Sequence, residues 1–505
     1  MLSRIPTAAL RGVDALPVRV EVSLTPGLPT FTVVGLPQGA VREGRERVVA
    51  ALKHAGWPPP TRRITVNLAP ADLRKEGSGF DLPIAVGLLV VSGVIEPERV
   101  DGWAFVGELG LDGRLRAVRG VLSLVAGCRD GGATRLIVPP ENAAEAALLD
   151  GVEVRTARSL TELVAYFTGA GSLPVVPPRV AGAPAPRGGD LREVRGQMVA
   201  KRALEIAAAG AHNLLLVGPP GAGKTLLARR LPGLLPPLDR EELLEVVRVH
   251  SVAGLVDPGR IPSAERPFRA PHHTVSHAGL VGGGSPPRPG EVSLAHRGVL
   301  FLDELPEFSR STLETLRQPL EDGVLTLARA AGHLAYPARF VLVGAMNPCP
   351  CGHHGDGTDR CVCDAAAVAR YRGRVSGPVL DRIDLHVGVS ALNVDELRGP
   401  PTGSSSGEVR ARVVAARAIQ AARFGEGDTR CNAEMGPSQL RRHAAVRPAV
   451  ARLLQRALDR MQLSARAYHR ILKVARTIAD LEAAPEITED HAAEAVQYRE
   501  LDRVG

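Results

Sequence analysis

The pattern of hydrophobic and polar positions differs between parts of the chain. In the first part it predicts both strands and helices. In residues 1–170, apolar and β-branched residues alternate with polar ones at Val18–Leu24 and Arg63–Leu68, which predicts two β-strands. Arg42–Ala55 and Asn142–Leu149 have apolar residues at helical spacing. This part of the chain is therefore predicted to form an α+β domain.

The middle of the chain alternates apolar strands with helices, as a parallel α/β sheet does. Its strand candidates are near-continuous apolar runs at Asn213–Val217, Val299–Leu302 and Phe340–Ala345, which is typical of strands covered on both faces. Residues 408–505 are rich in Ala and Arg at helical spacing. They predict an all-helical bundle that follows the α/β core.

Two segments without this patterning divide the chain. Residues 171–189 are mostly Pro, Gly and Ala, and residues 398–407 are mostly Pro, Gly and Ser, so both are predicted linkers. We therefore expect an N-terminal domain over 1–170, a core over 190–397 and a C-terminal helical domain over 408–505.

Composition favours a polyanionic partner. The 505 residues carry a formal net charge of +8, and aromatic residues make up only 3%. Because stacking on bases needs aromatic rings, we expect Arg and backbone groups to hold phosphates instead. Residues Met1–Leu10 lack the residue pattern expected of a signal peptide, and the longest apolar run, Leu82–Ile95, is expected to be too short to span a bilayer. We predict a cytoplasmic protein with no membrane partner.

A phosphate-binding loop follows the first apolar strand of the core. It consists of Gly218, Pro219, Pro220, Gly221, Ala222, Gly223, Lys224 and Thr225, in the pattern G-x-x-x-x-G-K-[ST]. Its glycines let backbone N–H groups approach phosphates, and the following helix adds a positive dipole. Lys224 is expected to reach the β- and γ-phosphates and Thr225 to bind Mg²⁺. The predicted cofactors are ATP and Mg²⁺.

Polar residues also end the next two strands of the core. Asp303 and Glu304 follow Val299–Leu302, where Asp303 is expected to hold Mg²⁺ and Glu304 to orient or deprotonate the attacking water. Asn347 follows Phe340–Ala345 and is expected to sense the γ-phosphate. A lone Asn is more often a turn residue, but the order of the strands favours the catalytic role.

Four of the six cysteines form a cluster in the core segment. They are Cys349, Cys351, Cys361 and Cys363, two C-x-C pairs in a 349–363 insertion. Four thiolates can surround Zn²⁺ tetrahedrally, so zinc is the predicted ligand. The C-x-C spacing is tighter than the usual C-x₂-C, His353 and His354 could substitute, and free thiols or a redox pair are the alternatives.

A long polar insertion, residues 250–297, precedes the acidic pair. Such a length is uncommon for a loop and is usually functional, so a pore or rotor element is one interpretation. Arg269 and then Arg266 are the candidate phosphate contacts, although both could instead pack against their own subunit.

These motifs resemble the ComM/YifB proteins of the magnesium-chelatase-like AAA+ family. The matching stretches are Val194–Gln197, Lys201–Ile206, Gly218–Thr225, Arg266–His273, Gly282–Gly284, Arg288–Glu304 and Met346–Gly352. The resemblance implies a P-loop AAA+ core with a helical C-terminal lid, assembled as a homo-hexamer. It also implies an ATP-dependent helicase on single-stranded or branched DNA. That helicase would drive branch migration in natural transformation, with recombination proteins as further partners.

The resemblance also suggests roles for two arginines. Arg382 lies between Asp381 and Asp384, which usually indicates a surface ion pair, but in a ring it would be the finger that reaches the neighbouring ATP site. Arg466 and Arg470 lie one turn apart on one helix face. We favour Arg466 as the lid residue that contacts nucleotide, the alternative being a solvated Arg.

The first segment resembles the C-terminal domain of Lon proteases, which has a ribosomal S5 domain 2-like α+β fold. Gly79 falls at the position of the catalytic serine, Leu122 falls at that of the lysine, and Ser78 is one position away. Without this dyad there is no activated nucleophile, so the domain is predicted to be non-proteolytic.

Three functions remain open from the sequence. The leading hypothesis is a DNA-translocating ATPase. The second is a chelatase-like remodelling subunit that acts on a protein partner, although the Lon-like domain and the cysteine cluster are not expected of it. The third is a regulatory peptidase, which the missing dyad disfavours.

Overall fold

The computed structural model describes residues 2–178, 189–260, 262–284, 287–329, 332–357, 359–391, 403–425, 427 and 429–499. Most of the predicted linker 171–189 lies outside these residues, as does the first half of the predicted linker 398–407. In the described part of the chain, no helix is long and apolar enough to cross a membrane.

The N-terminal domain combines two four-stranded sheets and the two-stranded β6-β7 sheet with five α-helices among its described residues. Its strands are β1 (Leu2–Arg11), β2 (Asp14–Thr25), β3 (Thr30–Val34), β4 (Arg63–Ala69), β5 (Trp103–Phe105), β6 (Glu108–Leu109), β7 (Leu115–Arg116), β8 (Arg135–Val138), β9 (Glu153–Thr156) and β10 (Val175–Val176). Its helices are α1 (Gly39–His54), α2 (Asp81–Val91), α3 (Val121–Asp130), α4 (Ala143–Ala146) and α5 (Leu160–Phe167). One sheet has the order β1-β2-β4-β3 and the other the order β10-β9-β8-β5. Every residue of α2 is buried, which explains the unbroken apolar run there.

The core domain is built on a parallel sheet, which confirms the predicted α/β fold class. Its strands are β11 (Leu214–Val217), β12 (Phe268–Arg269), β13 (Gly282–Gly283), β14 (Arg288–Pro289), β15 (Val299–Leu302), β16 (Val324–Arg329), β17 (Gly332–Pro337), β18 (Val341–Met346) and β19 (Leu385–Gly388). Its helices are α6 (Met198–Gly210), α7 (Lys224–Leu234), α8 (Arg240–Ala253), α9 (His277–Val281), α10 (Glu291–Leu294), α11 (Arg310–Glu314), α12 (Arg317–Asp322), α13 (Ala365–Arg372) and α14 (Gly377–Leu380). The main sheet has the order β12-β15-β18-β11-β19, so the phosphate-loop strand β11 is an interior strand between β18 and β19.

The 250–297 segment is more regular than its polar composition predicted. Helix α8 continues to Ala253, and β12 pairs in parallel with β15 as the edge strand of the main sheet. The edge strand is only two residues long, and both residues are half-buried, so the sequence contains no apolar run to reveal it.

The C-terminal domain is the predicted helical bundle. Its helices are α15 (Ser406–Phe424), α16 (Pro437–His443), α17 (Pro448–Met461), α18 (Ala465–Leu481) and α19 (Glu489–Gln497). Apolar residues of α15 and α18 share one core with α6 and the main sheet. The bundle therefore packs on α6 and extends the core of the α/β domain without forming a separate core.

Helix α8 attaches the N-terminal domain to the core domain. Its side chains Leu243, Val246 and Val247 share a core with Leu122 and its neighbours on α3. The backbone N–H of Gly120 also donates to the carbonyl of Ser251, at 3.3 Å. The part of the N-terminal domain around Leu122 thus faces the core domain.

A buried carboxylate joins the sheet to the C-terminal bundle. Asp384, just before β19, accepts from the ring of His212 at 3.1 Å and forms an ion pair with Arg470 of α18. The other ring nitrogen of His212 lies 2.8 Å from the hydroxyl of Thr477. Burial alone would raise the pKa of Asp384, but Arg470 and His212 lower it well below its usual range.

Asp384→Asn should destabilise the protein by about 3 kcal/mol, because Arg470 would lose the carboxylate that compensates its charge. The free energy of unfolding in urea measures this effect. The carboxylate's contribution should be fully present at neutral pH and should be lost as the pH falls below about 4, towards the lowered folded-state pKa.

A surface pair provides the control for this prediction. Arg447 pairs with Glu486 at 2.5 Å, and both side chains are more than half exposed. Arg447→Gln should therefore cost less than about 1 kcal/mol. Equal losses in the two variants would contradict a special role for the buried carboxylate.

Candidate functional site

The phosphate-binding loop lies between the ends of two neighbouring strands. Strand β11 pairs with β18 so that Val217 is opposite Met346, and the loop begins at the next residue, Gly218. A Cβ at Gly218 would lie 2.1 Å from the carbonyl oxygen of Val389, so only glycine fits there. Gly221 and Gly223 have φ angles of 78° and 91° and open space beside them. The loop therefore has the shape of a cradle for phosphates.

The side chain of Lys224 lies inside this loop and is hydrogen-bonded to the loop backbone. Its Nζ donates to the carbonyls of Gly218 at 2.7 Å and Pro219 at 2.9 Å, and to Oδ1 of Asn347 at 3.1 Å. Burial lowers the pKa of Lys224, while Asp303 and Glu304 oppose that shift. The structure thus brings together Lys224 and Asn347, which are 123 residues apart in the sequence.

Two further predicted residues meet beside the loop. The hydroxyl of Thr225 donates to Oδ2 of Asp303 at 2.7 Å, and Asp303 follows directly after β15. A hydroxyl and a carboxylate are the oxygen ligands that Mg²⁺ takes in P-loop proteins. The pair fits the predicted magnesium position.

Glu304 has an unexpected partner in the 250–297 segment. Its backbone φ is 52°, its side chain is 59% exposed, and Oε2 lies 3.4 Å from Nδ1 of His273. The ring of His273 stacks against that of His272 at 4.1 Å and meets Phe308 edge-on. His273 therefore contacts the predicted catalytic carboxylate, and no local pattern in the sequence indicates this contact.

Gln197 is a second residue whose position the sequence did not explain. Its amide nitrogen donates to the carbonyl of Ser390 at 2.6 Å and to that of Ala222 at 3.3 Å. It thereby ties the phosphate loop to the segment after β19. The matching stretch Val194–Gln197 was the only signal for it in the sequence.

The two predicted arginines lie away from these contacts. Arg382 is buried, pairs with Glu321 and donates to the carbonyl of Pro378 at 2.5 Å, all within one subunit. A trans finger role would require the pair with Glu321 to open at a subunit interface, and that role stays a prediction. Arg466 is exposed in the first turn of α18, and no partner for it is found among the described residues. Arg470 is committed to Asp384.

The two candidate phosphate contacts in the 250–297 segment are held inside their own subunit. Arg266 donates to the carbonyls of Pro236 and Arg297 and pairs with Glu242 at 2.8 Å. Arg269 makes a bidentate pair with Glu291, at 2.6 and 2.7 Å. Both arginines therefore pack within their own subunit, which is the alternative to a phosphate contact, because each guanidinium already has a carboxylate partner.

The four cysteines of the cluster converge to one point. Their sulfur atoms all lie within 4.8 Å of one another, and Cys349 Sγ lies 3.3 Å from Cys351 Sγ and 3.8 Å from Cys361 Sγ. Backbone N–H groups of His353 and Val362 lower the pKa of Cys351 to about 6. We call residues 349–363 the cysteine knuckle.

The cysteine knuckle touches the phosphate loop. A Cβ at Gly352 would lie 2.6 Å from Cδ of Pro220, so the knuckle backbone packs directly on the loop proline. Cys349 is also only two residues from Asn347, which contacts Lys224. The position of the knuckle therefore affects both sides of the phosphate cradle.

The two positions of the N-terminal domain that align with the Lon dyad, Gly79 and Leu122, hold no serine–lysine pair. Leu122 is fully buried, and its N–H donates to Glu145 at 2.9 Å. Ser78 hydrogen-bonds to Glu108, and the Nζ of Lys75 bonds to the carbonyl of Pro70. The hydroxyl of Ser78, one position from Gly79, thus bonds to the carboxylate of Glu108 and not to a lysine amine.

Family models for the magnesium chelatase subunit ChlI match most of the chain. The model described as "Magnesium chelatase, subunit ChlI" matches residues 190–397, and its C-terminal model matches 403–499. The model described as "Subunit ChlI of Mg-chelatase" matches residues 20–142. The three matches follow the three parts into which the sequence divides.

Full-length relatives give a closer comparison. The chain is 44% identical to an uncharacterized protein YifB of Salmonella typhimurium and to the competence protein ComM of Haemophilus influenzae, in both cases over 100% of this chain and 98% of the relative. It is 30% identical to the chloroplastic magnesium-chelatase subunit ChlI of Chlamydomonas reinhardtii, over 37% of this chain and 44% of that protein.

Substitutions at the phosphate and water positions should separate ATP binding from hydrolysis. Lys224→Ala should lower ATP turnover by at least about 100-fold, because the developing phosphoryl charge loses its ammonium partner. Glu304→Gln should bind ATP normally and hydrolyse it about 100-fold more slowly, since the amide cannot take a proton. Phosphate release and binding of a fluorescent ATP analogue measure the two steps.

Glu307→Gln is the matched control for this pair. Glu307 lies three residues after Glu304 and pairs with Arg374 at the surface, at 2.8 Å. Its loss should leave turnover near that of the wild type. Normal turnover in the Lys224 and Glu304 variants would refute the assignment of the site.

Proposed function

Because the chain belongs to the ComM/YifB family of magnesium-chelatase-like AAA+ proteins, we propose that it is an ATP-driven DNA motor of the cytoplasm. The motor is a homo-hexameric ring that promotes branch migration when incoming DNA recombines during natural transformation. The observation that carries the proposal is the convergence of Lys224, Thr225, Asp303 and Asn347 at one sheet edge. The full-length similarity to a competence protein supports the choice of DNA.

Hydrolysis follows from the geometry of the site. On ATP binding, Lys224 would exchange its bonds to the carbonyls of Gly218 and Pro219 for bonds to phosphate oxygens. Thr225 and Asp303 would hold Mg²⁺, which neutralises charge on the β- and γ-phosphate oxygens. Glu304 would accept a proton from the water that attacks the γ-phosphorus, and ADP leaves with the electrons of the broken P–O bond. His273 must first release Glu304, so the 250–297 segment is placed to control this step.

Branch migration suits a motor of this kind. The ring is expected to follow the phosphate backbone, since the chain is basic and has few aromatic residues for stacking on bases. Moving a junction re-pairs strands behind the ring as fast as it separates them ahead. The work per step is then small compared with outright unwinding, which costs about 1.4 kcal/mol of stacking per base-pair step.

The chelatase-like remodelling function is the second candidate. It rests on the ChlI family models, which match most of the chain, and on individual magnesium-chelatase subunits, whose similarity extends over 34–37% of this chain. The competence protein, in contrast, is matched along the whole chain. This difference in coverage favours the DNA motor.

The cysteine knuckle is proposed to hold Zn²⁺. Tetrahedral zinc with Zn–S bonds of about 2.3 Å separates its sulfur ligands by about 3.8 Å. The contacts Cys349–Cys361 at 3.8 Å and Cys351–Cys361 at 3.7 Å fit that spacing. The metal would fix the knuckle backbone and thereby hold Asn347 and Pro220 against the phosphate cradle.

Purified protein should contain about one zinc per chain, and Cys361→Ser combined with Cys363→Ser should remove it. ATP turnover should then fall by about tenfold or more, because Asn347 and Pro220 lose their fixed support. Elemental analysis measures the metal independently of activity. Cys128→Ala, which removes a buried thiol in the N-terminal domain, is the control and should keep both zinc and turnover. Full turnover in protein without any transition metal would remove this proposal.

A mobile four-way or three-strand junction tests the motor itself. Wild-type protein with ATP and Mg²⁺ should convert the junction to products, because hydrolysis drives the ring along one arm. Glu304→Gln should bind the junction without moving it. If the wild type hydrolyses ATP but moves no junction and separates no fork, the chelatase-like remodelling function replaces the DNA motor.

A further inference from the structure

Helix α17 of the C-terminal bundle has two contrasting faces. Val450, Leu454 and Met461 are buried against the bundle. The opposite face carries Arg452, Arg456 and Arg460, all exposed, at positions i, i+4 and i+8. Since each helical residue advances about 1.5 Å, the three arginines follow one another at about 6 Å along the helix axis. We call them the α17 arginine row.

The charges of the α17 arginine row are not compensated. Among the described residues, none of its three guanidinium groups has a carboxylate within ion-pair distance. The nearby acid, Asp459, accepts instead from the side chain of Gln455 at 2.9 Å. In the same bundle, Arg423 pairs with Asp480 and Arg447 pairs with Glu486.

Such a row destabilises its own helix. Like charges four residues apart repel each other, whereas acid–base pairs at that spacing stabilise a helix. The only hydrogen bond that joins two members of the row runs from Nε of Arg456 to the backbone carbonyl of Arg452, at 3.4 Å, and neutralises nothing. A row of unpaired arginines is therefore better explained by an anionic ligand than by folding.

We propose that the α17 arginine row binds the sugar-phosphate backbone of DNA. This inference rests on the proposed DNA-motor function and assigns the contact to the C-terminal bundle. Guanidinium groups bind phosphates in bidentate geometry, and a nucleic acid strand offers one charge per nucleotide in regular succession. A membrane surface fits less well, because the apolar face of α17 is buried in the bundle and cannot insert between lipids.

The position of the row also connects DNA to the ATPase core. Three residues separate the end of α17 from α18, whose Arg470 pairs with Asp384 beside the main sheet. Force on a strand held at α17 would therefore act on the helix that is fixed to the sheet. Arg266 and Arg269, in contrast, are already paired with Glu242 and Glu291.

The test is the salt dependence of DNA binding by the full-length protein. The triple variant Arg452→Gln/Arg456→Gln/Arg460→Gln should bind a fluorescent single strand more weakly than wild type. The slope of log K against log[salt] should become shallower by about 2, since each lost phosphate contact accounts for about 0.7. The Arg→Lys triple variant should keep the wild-type slope, because it retains the charges.

A second triple variant controls for net charge. Arg62, Arg63 and Arg74 lie exposed on the N-terminal domain, without ion-pair partners in the described part of the chain. Arg62→Gln/Arg63→Gln/Arg74→Gln should keep the wild-type slope. Thermal unfolding and the mass of the assembled protein check that each variant folds and assembles. If the α17 triple variant does not assemble, Arg456→Gln alone should make the slope of log K against log[salt] shallower by about 0.7.

The outcomes distinguish the α17 arginine row from the proposed function. If the Arg→Gln triple variant of α17 keeps the wild-type slope while wild type binds DNA and moves junctions, the α17 arginine row does not bind DNA. The proposed motor function would still stand. An equal change of slope in the control triple variant would assign the effect to net charge and would also contradict DNA binding by the α17 arginine row. Wild-type protein that binds anionic vesicles but no DNA overturns both proposals.

Discussion

The parallel pairing of β11, β15 and β18 is the constraint on which the site depends. Parallel strands end at the same edge of a sheet, so residues that follow them meet there even when they are far apart in sequence. The register places Val217 opposite Met346 and Leu302 opposite Gly344. The phosphate loop, the acidic pair and Asn347 consequently share one edge, and a shift in this register would separate Lys224 from Asn347.

Two further parts of the molecule are attached to that edge. The cysteine knuckle packs on Pro220, and the segment after β19 accepts from Gln197. Asp384 lies at the opposite edge of the sheet, just before β19, and holds the C-terminal bundle there through Arg470. Changes at the phosphate cradle can therefore reach the knuckle and the segment after β19 through direct contacts.

The N-terminal domain is connected to the same core by different means. Its α3 packs on α8, which leads into the segment that carries His273. His273 in turn contacts Glu304. The helix that carries Leu122 packs against the core domain. The N-terminal domain is therefore joined to the ATPase core through buried apolar contacts.

The sequence by itself determined the α/β fold class, the apolar strands and the residues of the phosphate loop, because each depends on a local pattern of residues. It also indicated the acidic pair and Asn347, since polar residues that end buried strands of a parallel sheet meet at one edge. Only the tertiary structure decided which polar residues neutralise each other. The sequence could not show which carboxylates pair with Arg382, Arg266 and Arg269. These partners lie 61, 24 and 22 residues away, respectively. The contact of His273 with Glu304 and that of Gly352 with Pro220 were equally hidden, because long-range contacts depend on how the elements pack and leave no local period in the chain.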